Sequence, residues 1–124
     1  MHPALKALGG LDELDRVLAA SSDRPLLLFK YSATCGTSAE ALDELVAHLN
    51  ESPADATYAI VTVQTHRDVS NAVASKLGVR HETPQALLIR DGRVVWSASH
   101  FRVTAAALEK ALQEAIDQSQ PVVQ

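Results

Sequence analysis

An α/β fold, with a four-stranded mixed sheet covered by helices, is what this sequence predicts, on three observations. Short apolar or β-branched runs alternate with stretches of helical periodicity as far as residue 78. Two further strand-like runs then flank Asp91-Gly92, and one amphipathic stretch closes the chain. The resulting element order is αβαβαββα, without internal repeats or linkers.

In residues 11–20, LDELDRVLAA, Leu11, Leu14, Val17 and Leu18 recur at helical spacing with acids early. This predicts an amphipathic helix that ends before Ser21-Ser22. After Arg24-Pro25, the short run LLLFKYS (26–32) reads as a strand buried on both faces. Residues 38–50, SAEALDELVAHLN, then place Ala39, Leu42, Leu45, Val46 and Leu49 on one helical face. Glu40, Asp43 and Glu44 load the N-terminal half of that helix with acid, as its dipole favours.

TYAIVTVQ (57–64) is the strongest β-branched run of the chain and predicts a second strand. A third helix follows over 67–78, with Val69, Ala72, Val73 and Leu77 inward, Asp68 as its N-cap and Gly78 as its stop. QALLIR (85–90) and RVVWSA (93–98) flank a dipeptide suited to a type I′ turn, and so form a hairpin. Thr104 caps the last helix, which turns Leu108, Leu112, Ala115 and Ile116 inward; residues 119–124 are expected to be a loosely ordered tail.

Strands joined through a helix run parallel, whereas the hairpin adds an antiparallel pair. This is the order of a thioredoxin-like core that lacks its first strand, in a single domain spanning residues 1–124.

Composition narrows the function. With 124 residues, 47% of them hydrophobic, the chain can bury an ordinary globular core. Its net charge of -4, without a basic stripe interleaved with aromatics, disfavours nucleic acid as a partner. The N-terminus MHPALKALGGLDELDRVL has no signal-peptide pattern, and no apolar stretch approaches the ~20 residues of a membrane-spanning helix, so a soluble cytoplasmic protein is expected. Cys35 is the only cysteine. It can form no internal disulfide and falls short of a metal cluster, so any thiol chemistry involves a second molecule.

Cys35 stands between the first strand and the second helix. If the helix starts within a few residues of it, the sulfur lies by the first turn, where free N–H groups and the positive dipole end favour a thiolate. The place is also beyond the carboxyl end of a parallel strand, where α/β sheets put ligand sites. The competing reading is an inert core cysteine. The neighbours Thr34, Gly36, Thr37 and Ser38 are polar and suit an accessible turn instead. Gly36 lets the backbone approach a bound group, and the hydroxyls can cap the helix or donate to sulfur.

A second segment, HETPQ (81–85), sets Thr83-Pro84 directly before a strand. Taken alone, it reads as a trans proline opening that strand.

Strand, TCxxS, helix, then GVRHETPQALLIRDGRVVW, SHF and a final helix resembles the YtxJ-like family, the monothiol bacilliredoxins, over nearly the whole chain. The resemblance implies a thioredoxin-like fold and removal of bacillithiol from mixed disulfides on oxidised cytosolic proteins. Cys35 would be the attacking thiolate and would carry the bacillithiol group until a second bacillithiol releases it. Ser38 would stand where dithiol relatives carry a resolving cysteine, and Thr83-Pro84 would be a substrate-binding cis-proline segment. The resemblance implies no bound cofactor, bacillithiol being a co-substrate. Gly36 departs from the family's TCPIS, where a proline follows the cysteine, and Thr37 replaces an apolar residue.

With Ser38 at the second position, no internal sulfur can expel a captured group, and the mixed disulfide must wait for an external thiol. Of the histidines, only His81 and His100 fall near the expected active edge. Trp96 reads as core, and Arg67, Asp68, Arg80 and Glu82 read as a solvated face rather than as contacts to bacillithiol. Two rival functions stand beside this one. One is a non-catalytic interaction or stress module whose Cys35 merely becomes capped. The other is a reductase for glutathione, coenzyme A or cysteine adducts.

Overall fold

The computed structural model describes residues 2–119. In chain order it contains β1 (Leu5–Ala7), α1 (Leu11–Ala20), β2 (Leu26–Tyr31), α2 (Gly36–Glu51), β3 (Thr57–Thr62), α3 (Arg67–Leu77), β4 (Gln85–Arg90), β5 (Arg93–Ser99), a 3₁₀ turn (His100–Arg102) and α4 (Ala105–Ser119). The expected tail over 119–124 lies outside the described residues, except that Ser119 ends α4.

The strands form one mixed sheet in the order β1-β3-β2-β4-β5. β3 runs parallel to both β1 and β2, while β2–β4 and β4–β5 are antiparallel. The fold is therefore thioredoxin-like as expected, but the sheet has five strands and not four, because the first strand is present. It is only LKA, with Leu5 alone buried, so its sequence shows no alternation to read. Its pairing with Tyr58, Ala59 and Ile60 makes it a strand.

The alternation of side chains along the sheet separates two cores. Leu27, Phe29, Tyr58, Ile60, Ala86 and Leu88 pack against Leu45 and Leu49 of α2 and Leu108 and Leu112 of α4. Leu26, Leu28, Ala59, Val61, Leu87 and Ile89 pack on the other face against Leu14 and Val17 of α1 and Val69 and Val73 of α3. Trp96 is half-buried against the first of these cores, as read from the sequence.

Several local expectations hold. Asp91 and Gly92 have φ of 53° and 72°, the left-handed pair that a type I′ turn requires. Gly78 ends α3 at φ 65°. The Thr104 Oγ1 accepts the Ala107 N–H at 3.1 Å and caps α4. Three details differ. α3 is preceded by His66, with Asp68 in its first turn, so Asp68 does not cap it. Leu11, the first residue of α1, is 44% exposed, and the buried face of that helix begins at Leu14. In α2 the buried face is Ser38, Ala41, Leu45, His48 and Leu49, whereas Ala39 is exposed. Starting that helix at Gly36 leaves the first turn turned inward at Ser38, one position away from where apolarity alone puts it. No helix among the described residues is long and apolar enough to cross a membrane.

Candidate functional site

Three connections meet at one end of the sheet. Cys35 follows the carboxyl end of β2. The antiparallel pairing of Lys30 with Gln85 brings the start of β4, and hence Thr83-Pro84, to that same end. Gln85 in turn pairs with Ser99, which places the 3₁₀ turn there as well, and the His100 N–H donates to the Pro84 carbonyl at 3.0 Å.

Cys35 occupies the N-cap position of α2 in an extended conformation, φ -109° and ψ 122°. Its N–H donates to the Ser32 carbonyl and its own carbonyl accepts the Ala39 N–H at 3.2 Å. The residue is partly exposed, so Cys35 is not a core residue. The Ser38 N–H holds its thiol below the ordinary cysteine range, opposed by desolvation and assisted by the Thr37 N–H and the Ser38 and Thr37 hydroxyls. This is the helix-start environment expected for a thiolate.

The motif residues divide by burial. Ser38 is fully buried, and its Oγ accepts the Ser32 N–H at 3.2 Å, so it braces the turn as well as facing the sulfur. Thr34 and Gly36 are exposed and Thr37 is half-buried. A Cβ built on Gly36 meets nothing within 4 Å, so neither crowding nor a left-handed φ demands glycine there. The Thr83–Pro84 peptide bond is cis. That agrees with the family resemblance, and not with the trans bond expected of HETPQ taken alone.

His81 and His100 both lie at this end of the sheet, but neither is among the partners of the Cys35 thiol. His100 takes a left-handed φ of 56° in the 3₁₀ turn, beside Phe101, which is 78% exposed. A groove of about 330 Å³ runs between that turn and the start of α2, lined by Thr37, Glu40 and Asp43 on one side and His100 and Phe101 on the other. Arg67, Asp68 and Arg80 are exposed, as a solvated face requires. Glu82 is half-buried, and its Oε2 accepts the Ser99 hydroxyl.

Two residues around the site escape the sequence reading. Gln64 closes the turn from beyond β3: its Oε1 accepts the Ala33 N–H at 3.1 Å, and its Nε2 donates to the Ser32 Oγ at 2.6 Å and to the Thr34 Oγ1 at 3.3 Å. Lys30 sits in β2 with 0% exposure, inside a run read as apolar. Its Nζ donates to the Ser70 carbonyl at 3.3 Å and to His81 Nδ1 at 2.7 Å. The detectable signal for Lys30 was a lysine at an inward position of a strand buried on both faces. Gln64 offered none, since a glutamine after a strand is commonplace.

Comparison with known proteins agrees with this architecture. A solved structure described as a candidate oxidoreductase with a thioredoxin fold is 30% identical, covering 87% of this chain and 93% of its own, with a TM-score of 0.77. A single-residue variant of a thioredoxin from Halobacterium salinarum is 27% identical over 99% of this chain and 98% of its own, with a TM-score of 0.69. Malassezia sympodialis thioredoxin, 14% identical over 90% of each chain at a TM-score of 0.70, shares the fold. The family described as Monothiol bacilliredoxin BrxC matches residues 6–108. By that match, on a thioredoxin fold with one thiol at the start of α2, this chain is a thiol oxidoreductase and a member of the monothiol bacilliredoxin family.

Proposed function

We propose that the protein removes bacillithiol from S-bacillithiolated proteins. The observation that carries the reading is the placement of the chain's only thiol at the N-cap of α2, where the Ser38 and Thr37 N–H groups favour its thiolate. The Cys35 thiolate attacks the bacillithiol sulfur of a protein–bacillithiol disulfide. The protein's thiolate departs, takes up a proton, and leaves a Cys35–bacillithiol disulfide. With Ser38 and no second cysteine, nothing internal displaces the captured group. A second bacillithiol thiolate attacks the bound bacillithiol sulfur, regenerating the Cys35 thiolate and releasing bacillithiol disulfide, which carries off the oxidising equivalents.

In this scheme Thr34, Gly36, Thr37 and Ser38 shape the thiolate turn, and Thr83-Pro84 offers backbone to an extended substrate segment. Bacillithiol is a co-substrate and no resident cofactor takes part. The setting is the cytoplasm, and the partners are bacillithiolated cytosolic proteins.

The test is intact-mass analysis after mixing the protein with a bacillithiol-capped substrate protein and then with free bacillithiol. One bacillithiol mass on Cys35 that disappears on adding the thiol, with the substrate thiol restored, is the expected result. Cys35→Ser should abolish transfer and leave the circular-dichroism spectrum unchanged; persisting turnover would refute the monothiol scheme. No transfer from an accessible substrate would make Cys35 a passive thiol on an interaction module. Ser38→Cys should lose two free thiols on oxidation, since position 38 faces the sulfur across the first turn.

A further inference from the structure

The segment 79–84, which carries Thr83-Pro84, is held largely by side chains. Its ends are tied by backbone bonds, the Val79 N–H to the Ala74 carbonyl and the His100 N–H to the Pro84 carbonyl. Between them the ties are Gln85 Nε2 to the Arg80 carbonyl at 3.0 Å, the Ser99 hydroxyl to Glu82, and Lys30 Nζ to His81 Nδ1. The last differs from the others in kind, because both of its groups titrate and one is a fully buried lysine.

Among the described residues no carboxylate lies within ion-pairing distance of Lys30. The groups facing the pair are the Ser70 carbonyl of α3 and the Arg67 guanidinium at the start of the same helix. For the 2.7 Å contact to form with an ammonium donor, His81 must be neutral with Nδ1 free to accept. Partial desolvation of its ring, then the charges of Lys30 and Arg67, hold the otherwise exposed His81 below its ordinary range, which favours that state. Burial pulls Lys30 down to about 8, so at neutral pH it is the member that carries the proton. Protonating His81 as well would set two cations against each other beside a third, with no carboxylate within ion-pairing distance of either among the described residues. At high pH a neutral amine can still donate to Nδ1, so the contact is vulnerable on the acid side only.

We infer that Lys30 is a positioning residue: through His81 it fixes the segment that presents Thr83-Pro84 to the substrate, and acid releases that segment. The inference rests on the proposed exchange reaction for what the segment binds, but not for the positioning itself. Because Lys30 touches neither the thiol nor its donors, it should govern how substrate is held and not how reactive Cys35 is.

The decisive comparison is His81→Asn, which keeps an acceptor but cannot titrate, against His81→Leu, which removes it; His81 is exposed, so both variants should fold. Backbone ¹⁵N order parameters of residues 80–83 report the positioning without any turnover. In the wild type they should fall from the rigid range near ~0.85 at pH 7.5 to below ~0.6 once the pH is taken well below the ordinary histidine range, at about pH 4. The Asn variant should stay rigid at both values, and the Leu variant should be mobile at both. If the exchange activity is present, His81→Leu should raise KM for the capped protein about tenfold, as loss of one charge-assisted bond implies, with kcat within about twofold. Alkylation of Cys35 by iodoacetamide should be unchanged. Wild-type order parameters indifferent to pH, or a Leu variant as rigid as the wild type, would overturn the inference while leaving the exchange reaction standing. Absent exchange with the expected order parameters would refute the reaction and leave the positioning intact.

Discussion

The two faces of the sheet bury polar groups in opposite ways. On the face covered by α2 and α4, His48 Nε2 lies 2.8 Å from the Tyr58 hydroxyl, which also accepts the Ala54 N–H at 2.9 Å. Glu109 stands 3.6 Å from His48 Nδ1, an electrostatic contact and not a hydrogen bond. Burial lowers the affinity of His48 for a proton, partly offset by Glu109, so this group is neutral and has an anion at hand. On the face covered by α1 and α3, Lys30 is equally buried, and its partners among the described residues are a carbonyl and an imidazole. The first arrangement ties α2 to β3 and the loop before it. The second is a poorly solvated cation beside the site, and it joins β2 to the segment before β4. Buried polarity at the far end of the molecule thus serves the fold, whereas at the thiol end it serves placement.

The largest effect that would sharpen this contrast is on stability against pH. The Lys30 pKa falls from 10.5 in the unfolded chain to about 8 in the fold, so between those values the unfolded chain binds more protons and stability must rise with pH. Over the whole interval the gain is about 3 kcal/mol. Urea unfolding of the wild type at pH 7.5 and 9.5 should show much of this rise, and Lys30→Met should lack it. Equal profiles would mean that the lysine is solvated after all, and the contrast between the faces would collapse.

A smaller effect is expected on the other face. Tyr58→Phe leaves His48 Nε2 and the Ala54 N–H without their partner, at a cost of about 2 kcal/mol in urea unfolding, and it should leave Cys35 alkylation unchanged. A change in alkylation would show that this face also reaches the site. Smallest is Gly36→Pro, which restores the residue that follows cysteine in the related motif. The position is the first of α2 and open to a side chain, so the variant should gain about 0.5–1 kcal/mol with the fold kept. A loss of stability would mean that the Gly36 N–H has a partner in the native turn.

How far the sequence could be read follows the range of the interactions. The hairpin at Asp91-Gly92, the Gly78 stop and the Thr104 cap are set within a few residues, and they stand where the sequence placed them. The placement of Cys35 at a helix start was legible for the same reason: an apolar run, a polar turn and an amphipathic stretch follow one another directly. The inner edge of α2 was displaced because apolar spacing says nothing of a buried serine that bonds a backbone N–H.

By itself, then, the sequence determined the class of fold, the two helix-covered faces and the single thiol at the end of β2, because periodicity and turn chemistry are local. Only the tertiary structure decided that three residues near the N-terminus are a fifth strand, that Gln64 closes the thiol turn, and that Lys30 reaches His81. Each of these needs a partner tens of residues away, and a backbone edge or a lone polar side chain carries no mark of the partner it will find.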